Sequence, residues 1–324
     1  MQGKEPSKQE TPKITAGVDV SKAWLDAHIL PVDEALRVPN TVTGIAKLKR
    51  WLVRRKIELV AVEATGRWHR LLCRSLYASK IPAAVTDPYR VRMFAKAQGI
   101  AAKTDRLDAR VLAQFAMVMA PPVRPPAPQA LEELQELVTA RQSAVAEETT
   151  LKNQRHAAAG TFLKSQLLRR IARLKADIRA IERECRKRVD SDEQLARRFA
   201  ILISIPSIGP VVAITLIACL CELGTLGHKQ IGALAGLAPV ANDSGQRHGV
   251  RTIWGGRALI RTMLYLAAVT ASRCNADMKA FYGRLSLTKP PKVALLAIAR
   301  KLVILANTLL ANDRLWQPNA SIRT

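Results

Sequence analysis

The sequence predicts an α/β N-terminal domain joined to a mostly α-helical C-terminal half. Three observations carry this. Short apolar runs alternate with segments of helical period over residues 14–120. Five prolines then crowd into the nine residues Ala120–Pro128, where missing backbone donors forbid a helix interior. Beyond that break the apolar pattern is helical.

Each element has its own reason. Residues 1–13 are polar and read as a disordered tail. Ile14–Val20 and Trp24–Leu30 read as strands around a tight turn at Ser21-Lys22. Thr43–Arg55 reads as a helix with Ile45, Leu48, Leu52 and Val53 on one face. Ile57–Val62 is a buried-type strand with Glu63 at its end. Trp68–Ser79 comes next as a helix and Ile81–Thr86 as a strand. Asp105–Met119 is a helix striped by Leu107, Val111, Leu112 and Phe115. Such alternation builds a sheet with helices packed on it.

Residues 121–129 form a Pro-rich linker of extended, semi-rigid character. Residues 130–200 are a helical region in which Ile171, Leu174, Ile178, Ile181 and Cys185 recur at three-and-four spacing. That is either a short coiled-coil seam or a helix packed within its own chain. A seam between chains would make the protein at least a dimer. Residues 201–318 form a second helical region, opening with IPSIGP at Ile205–Pro210. This turn resembles a helix-hairpin-helix element, whose glycine lets backbone N–H groups approach a phosphate. It could equally be an ordinary interhelical turn.

Charge narrows the partners. Lys and Arg number 51 against 26 Asp and Glu, a formal net charge of +25. Phosphates relieve the self-repulsion of such a surface, so a polyanionic partner is expected. Aromatic residues are only 4%, too few for a platform that stacks successive bases. Residues 241–324 carry thirteen Lys or Arg against three acids. The five scattered cysteines have no metal-knuckle spacing, and Cys219 and Cys221 read as small core residues. No signal-type apolar core and no uninterrupted membrane-length apolar stretch is visible, so a soluble, cytoplasmic protein is expected.

Four acids stand in chemically suggestive settings. Asp19 lies inside an apolar strand and Glu63 ends another. Asp105 and Asp108 are three apart on a helix and share a face. Three have a plainer reading alone, Asp105 as a helix N-terminal acid, Asp108 as a solvated helix residue and Glu63 as a strand-end residue, whereas Asp19 between Val18 and Val20 has little structural reason. Gathered together, they would need cations for neutrality. Mg²⁺ (or Mn²⁺) suits an all-oxygen donor set and could serve phosphodiester chemistry.

The motifs GVDVSK (17–22), VEATG (62–66) and KTDRLDA (103–109), in that order, resemble the N-terminal domain of DEDD transposases. This is the family of bridge-RNA-guided insertion-sequence recombinases that includes the Piv-type DNA invertases. The resemblance continues through IPSIGP, ALAGLAPVANDSG and GGRALIRTMLY. It implies a RuvC-like, RNase H-type fold for residues 14–120, with Asp19, Glu63, Asp105 and Asp108 as the metal-binding tetrad. It also implies that Ser244, within NDSGQRHG, is the nucleophile of a helical transposase domain. Double-stranded DNA, a noncoding guide RNA and a homodimer or homotetramer are the implied partners, with an active site shared between protomers. Asp87-Pro88 stands where the family usually has Asn-Pro, and Asp87 is not counted as a ligand.

Ser244 read without the family is a common turn residue before glycine. A neutral serine must lose its proton to attack phosphorus, and no Ser-His-Asp arrangement is evident; metal activation is the better expectation. Asp243 reads as a turn residue. Lys22, Lys103, Arg247, Arg251, Arg257 and Arg261 are the candidate phosphate contacts, with a solvated basic face as the plainer alternative. The competing function is a metal-dependent, structure-specific nuclease like a junction resolvase, with no serine intermediate.

Overall fold

The structure is a computed structural model and describes residues 13–100, 105–241, 243–244 and 249–318. The chain divides into two compact units, Met1–Ala127 and Pro128–Thr324. The first is a mixed α/β unit and the second is mostly helical.

The first unit is built on five strands: β1 (Thr15–Val20), β2 (Trp24–Leu30), β3 (Glu34–Pro39), β4 (Leu59–Glu63) and β5 (Ala83–Thr86). Their order is β3-β2-β1-β4-β5. The β1–β2 and β2–β3 pairs are antiparallel, and β1–β4 and β4–β5 are parallel. Among the described residues four helices cover this sheet: α1 (Val42–Arg54), α2 (Arg70–Ala78), α3 (Pro88–Ala97) and α4 (Asp105–Met119). Thr41 caps α1 through the Gly44 N–H at 3.2 Å, and Asp87 caps α3 through the Tyr89 N–H at 2.8 Å. Asp87 therefore holds a helix end. Neither β3 nor α3 is anticipated by the sequence pattern.

Side chains alternate across a strand, and here the parity separates two cores. Ala16, Val18, Val20, Val60 and Val62 meet Ile45, Leu48 and Leu52 of α1 and Leu72 and Leu76 of α2. On the other face Ala61 packs with Val91 of α3 and with Val111, Leu112 and Phe115 of α4. Thr15 also belongs to this second face: its hydroxyl donates to the Ala113 carbonyl at 2.9 Å. Gly17 is the point of closest approach. A Cβ there would stand 2.1 Å from the Ala109 carbonyl oxygen and 2.3 Å from the Ala113 nitrogen.

The second unit begins with a long hairpin, α5 (Gln129–Ala157) and α6 (Thr161–Asp190). Its apolar seam is filled within the chain. Ile171, Leu167 and Leu174 of α6 pack with Leu151 of α5, and Cys185, Val189 and Ile181 share a core with Leu134 and Val138. The helix-within-its-own-chain reading therefore holds, and the seam gives no warrant for a dimer. Nor does the hairpin stand apart from the later helices. Its base joins one core with α7 (Glu193–Ile203), α8 (Pro210–Cys219), α9 (His228–Leu234), α10 (Ala258–Cys274), α11 (Ala276–Ser286) and α12 (Pro291–Ala311).

By length and composition α12 could cross a membrane. Arg300 and Lys301 interrupt it, and Ile298, Ala299, Leu302, Val303 and Ala306 are fully buried in this core. In the IPSIGP turn the strained residue is Ser207, at φ 90, while Gly209 has φ −83 and open space around a would-be Cβ. Glycine is not demanded there by conformation. Cys219 is half-buried and Cys221 exposed, because α8 ends at Cys219 and the chain turns. Cys219 packs against the edge of this core, and the expectation of a core residue is corrected for Cys221 alone.

Gly17→Ala should lower the unfolding free energy by about 1–3 kcal/mol, the usual cost of forcing atoms into a packed contact. Urea unfolding measures this, and an unchanged midpoint would mean that α4 is not seated on Gly17.

Candidate active site

Strand parity decides where the acids go. Asp19 lies two residues after Gly17 and Glu63 two after Ala61, so both project to the face covered by α4. The parallel register pairs Val18 with Val62; one step further, Asp19 and Glu63 stand level on neighbouring strands, about 4.8 Å apart in backbone. Both are partly buried. The helix α4 completes the arrangement. Ala113 lies at Thr15 and the Ala109–Ala113 turn at Gly17. Two strand residues advance about 6.6 Å and four helix residues about 6 Å. The preceding turn, with Asp105 and Asp108, thus extends toward the Asp19 end of the strand. Asp108 is partly buried, and the side chain of Asp105 lies outside the described residues. Among the described residues no group of three or more His, Cys, Asp or Glu could hold a metal ion.

The site has features that the sequence pattern does not single out. Asp26 on β2 is the register partner of Asp19 and shares its face, so like charges would oppose each other there. Arg37, the register partner of Asp26 on β3, offsets this with an ion pair at 3.5 Å. The alternating segment WLDAHIL could have shown Asp26 facing away from Leu25, Ala27 and Ile29. Lys22 and Arg67 both lie over the Trp68 ring, 5.7 and 4.9 Å from its centre. Asn40 ties the backbone of Ser21 to that of Trp68, donating to both carbonyls. Lys22 follows β1 and Trp68 follows β4, so this cationic rim borders the strand ends that carry Asp19 and Glu63. Lys103 lies outside the described residues.

Ser244 belongs to the second unit. It sits in the loop of a two-strand ribbon, β6 (Pro239–Val240) paired with β7 (Thr252–Ile253). Ser244 and Arg251 are exposed. The Asp243 carboxylate accepts the Gly249 N–H at 3.1 Å, which is the turn role expected of it. Arg247 lies outside the described residues. The ribbon's base is pinned where Gly236 and Gly256 cross: a Cβ on Gly256 would lie 2.3 Å from the Gly236 nitrogen.

Two of the expected phosphate contacts are instead part of this anchor. Arg261 donates to the Gly255 carbonyl at 2.8 Å. Arg257 grips both carboxylate oxygens of Glu222, at 2.6 and 2.8 Å, and the Cys219 carbonyl at 2.9 Å. No acid occurs between residues 245 and 261; the partner comes from a turn more than thirty residues earlier. Burial would raise the Glu222 pKa, but the Arg257 hydrogen bonds and charge outweigh it and bring the value down to about 2. Burial pushes the neighbouring Cys219 thiol up to about 11, so that thiol stays neutral.

A depressed carboxylate pKa stabilises the fold above the unfolded value, here 4.5, and that stability is lost as pH falls toward about 2. The ionised Glu222 carboxylate therefore stabilises the fold at neutral pH, and acid removes that contribution. Glu222→Gln should lower stability at pH 7 and flatten the acid limb between those values. Urea midpoints recorded against pH check this; a variant with the wild-type limb would assign the acid sensitivity to other groups.

Comparison with known proteins agrees with the two-part chain. Residues 16–164 match the DEDD transposase model of IS110 type. Residues 199–283 match the transposase IS116/IS110/IS902 family. The pilin gene-inverting proteins of Moraxella bovis and Moraxella lacunata are each 24% identical over 313 residues, covering 93% of this chain and 97% of theirs. An uncharacterized 44.8 kDa protein of insertion element IS116 from Streptomyces clavuligerus is 32% identical over 168 residues, 49% of this chain and 39% of that protein. A DEDD-type domain carries divalent-metal dependence as a general property, and transposases act on DNA. The chain is a transposase of the IS110 type, an enzyme of DNA transposition and recombination.

Proposed function

We propose that this transposase exchanges DNA strands through a phosphoserine intermediate on Ser244, with Asp19, Glu63, Asp105 and Asp108 holding Mg²⁺ (or Mn²⁺). The observation that carries the reading is the acid face: Asp19 and Glu63 level on adjacent strands, with the α4 turn of Asp105 and Asp108 directed toward them. A donor set of carboxylate oxygens alone fits a hard cation. When bound, such an ion supplies positive charge to phosphate oxygens and lowers the pKa of an attacking hydroxyl.

Ser244 provides that hydroxyl from an exposed loop whose ends Asp243 ties together. Its Oγ bonds to phosphorus as a deoxyribose oxygen departs, and the serine proton ends on that oxygen. The freed hydroxyl of an exchanged strand then reverses the step. One phosphoester replaces another throughout, so no nucleotide is consumed, in keeping with a sequence that has no GxxxxGK[ST] loop. Lys22 and Arg251, together with Lys103 and Arg247, which neighbour the acids and the serine in sequence, hold the DNA phosphates. Arg257 and Arg261 act as anchors of the ribbon.

The mixed sheet with helices on both faces supports a RuvC-like, RNase H-type first unit. Acids and serine belong to different units, which suits an active site completed between protomers of a homodimer or homotetramer. A noncoding bridge RNA would choose the DNA sites by pairing; the +25 charge accommodates RNA and DNA together. The protein would work in the bacterial cytoplasm, at the nucleoid.

Ser244→Ala decides the chemistry. Wild-type protein on a nicked DNA substrate should give a denaturant-resistant protein–DNA adduct that the variant lacks, with strand exchange reduced at least about 10³-fold. Asp19→Asn and Glu63→Gln should lose both adduct and exchange. Retained cleavage by Ser244→Ala, with no adduct in either protein, would overturn the serine step in favour of a water-attacking metal nuclease.

A further inference from the structure

The α5–α6 hairpin sorts its charges by face. The α6 helix holds ten Lys or Arg residues and four acids. The basic residues beside α5 are neutralised. Arg170 pairs with Glu147 at 3.9 Å, Lys175 with Glu148 at 4.0 Å, and Arg188 with Glu133 and Glu184. In the other direction, Arg141 of α5 pairs with Glu182 at 2.7 Å.

The opposite face is different. At 100° per residue, Arg169, Arg173, Arg183 and Lys187 point away from the buried line of Ile171, Ile178 and Cys185. All four are exposed, and among the described residues none has an acid within ion-pair distance. Ala172, Ala176 and Ala180 lie between them, so no bulky side chain obstructs the stripe. Arg169 with Arg173, and Arg183 with Lys187, are like charges one turn apart, a spacing that disfavours a helix by itself. The stripe runs about 27 Å at 1.5 Å per residue. From residue 169 to 187 it has no aromatic side chain, so it suits phosphates and not stacked bases.

We infer that this outer face of α6 docks on the phosphate backbone of duplex DNA, adding a contact surface beyond the residues that perform the chemistry. The choice of DNA rests on the reading of the chain as a DNA strand-exchange enzyme. A straight rod of cations without base-reading side chains holds DNA without sequence preference, and its binding energy comes from counterion release.

The experiment is an anisotropy titration of the full chain with a fluorescein-labelled DNA duplex across a NaCl series. The combined variant Arg169→Gln, Arg173→Gln, Arg183→Gln and Lys187→Gln should flatten the plot of log affinity against log salt by about three to four units. Its affinity at physiological salt should fall more than about tenfold. The α5-paired residues, replaced as Arg170→Gln with Lys175→Gln, should leave the slope unchanged, because Glu147 and Glu148 already offset their charge. Circular dichroism monitors the hairpin; if the fourfold variant unfolds, Arg183→Gln with Lys187→Gln takes its place, with an expected change of about two units. A folded variant with the wild-type slope overturns the inference. So does a variant that loses affinity for an RNA duplex while keeping its slope on DNA. Failure of the serine reading is seen separately, as an absent adduct with wild-type protein that still binds DNA with the full slope.

Discussion

The seating of α4 against β1 at Gly17 is the constraint on which the acid face depends. Helix and strand backbones meet there at a distance that leaves no room for a side chain. Because they touch, the helix cannot slide or rotate without losing the contact. The Thr15 hydrogen bond to Ala113 fixes its direction along the strand. One turn in that direction brings Asp105 and Asp108 toward Asp19. A looser helix could bury Leu112 and Phe115 equally well and leave the carboxylates dispersed, which would spare the protein their mutual repulsion. The close contact is what directs the α4 turn of Asp105 and Asp108 toward the strand end that carries Asp19.

The second unit uses the same device at the base of its two-strand ribbon. Gly236 and Gly256 cross almost without clearance, and Arg257 locks the junction onto Glu222. A half-buried, two-point ion pair like this is worth far more than an exposed one. It holds the ribbon base rigid while the loop bearing Ser244 stays at the surface. Charge is thus used in three ways in this chain. It is paired inside the anchor, paired along the inner face of the helical hairpin, and left uncompensated on the hairpin's outer face. Net charge by itself does not distinguish these uses.

Much of the first unit is legible in the sequence. The β2 bounds and the α4 bounds are those expected, and the neighbouring elements differ by one or two residues. The strand β3 is not legible, because EALRVP is a half-exposed edge segment with charges breaking its alternation. The helix α3 is hidden for a related reason: PYRVRMFAKA buries only Val91 and Ala95 among three basic residues, leaving little apolar stripe. The acids can be found because a carboxylate inside an apolar strand has little structural purpose. Asp26 does not stand out because its compensating partner, Arg37, lies on the strand that is itself invisible. Arg257 is misleading in sequence because the absence of local acids says nothing about an acid thirty-five residues away.

By itself the sequence determined the α/β-then-helical order, the proline break, the basic character and the identity of the candidate acids and serine. These depend on local composition and period, which a chain carries before it folds. Only the tertiary structure decided that Asp19 and Glu63 stand level, that the α6 seam is closed by α5, and which arginines are already engaged. Those outcomes depend on strand register and on which helix fills which face, and both are set by contacts between residues far apart in the chain.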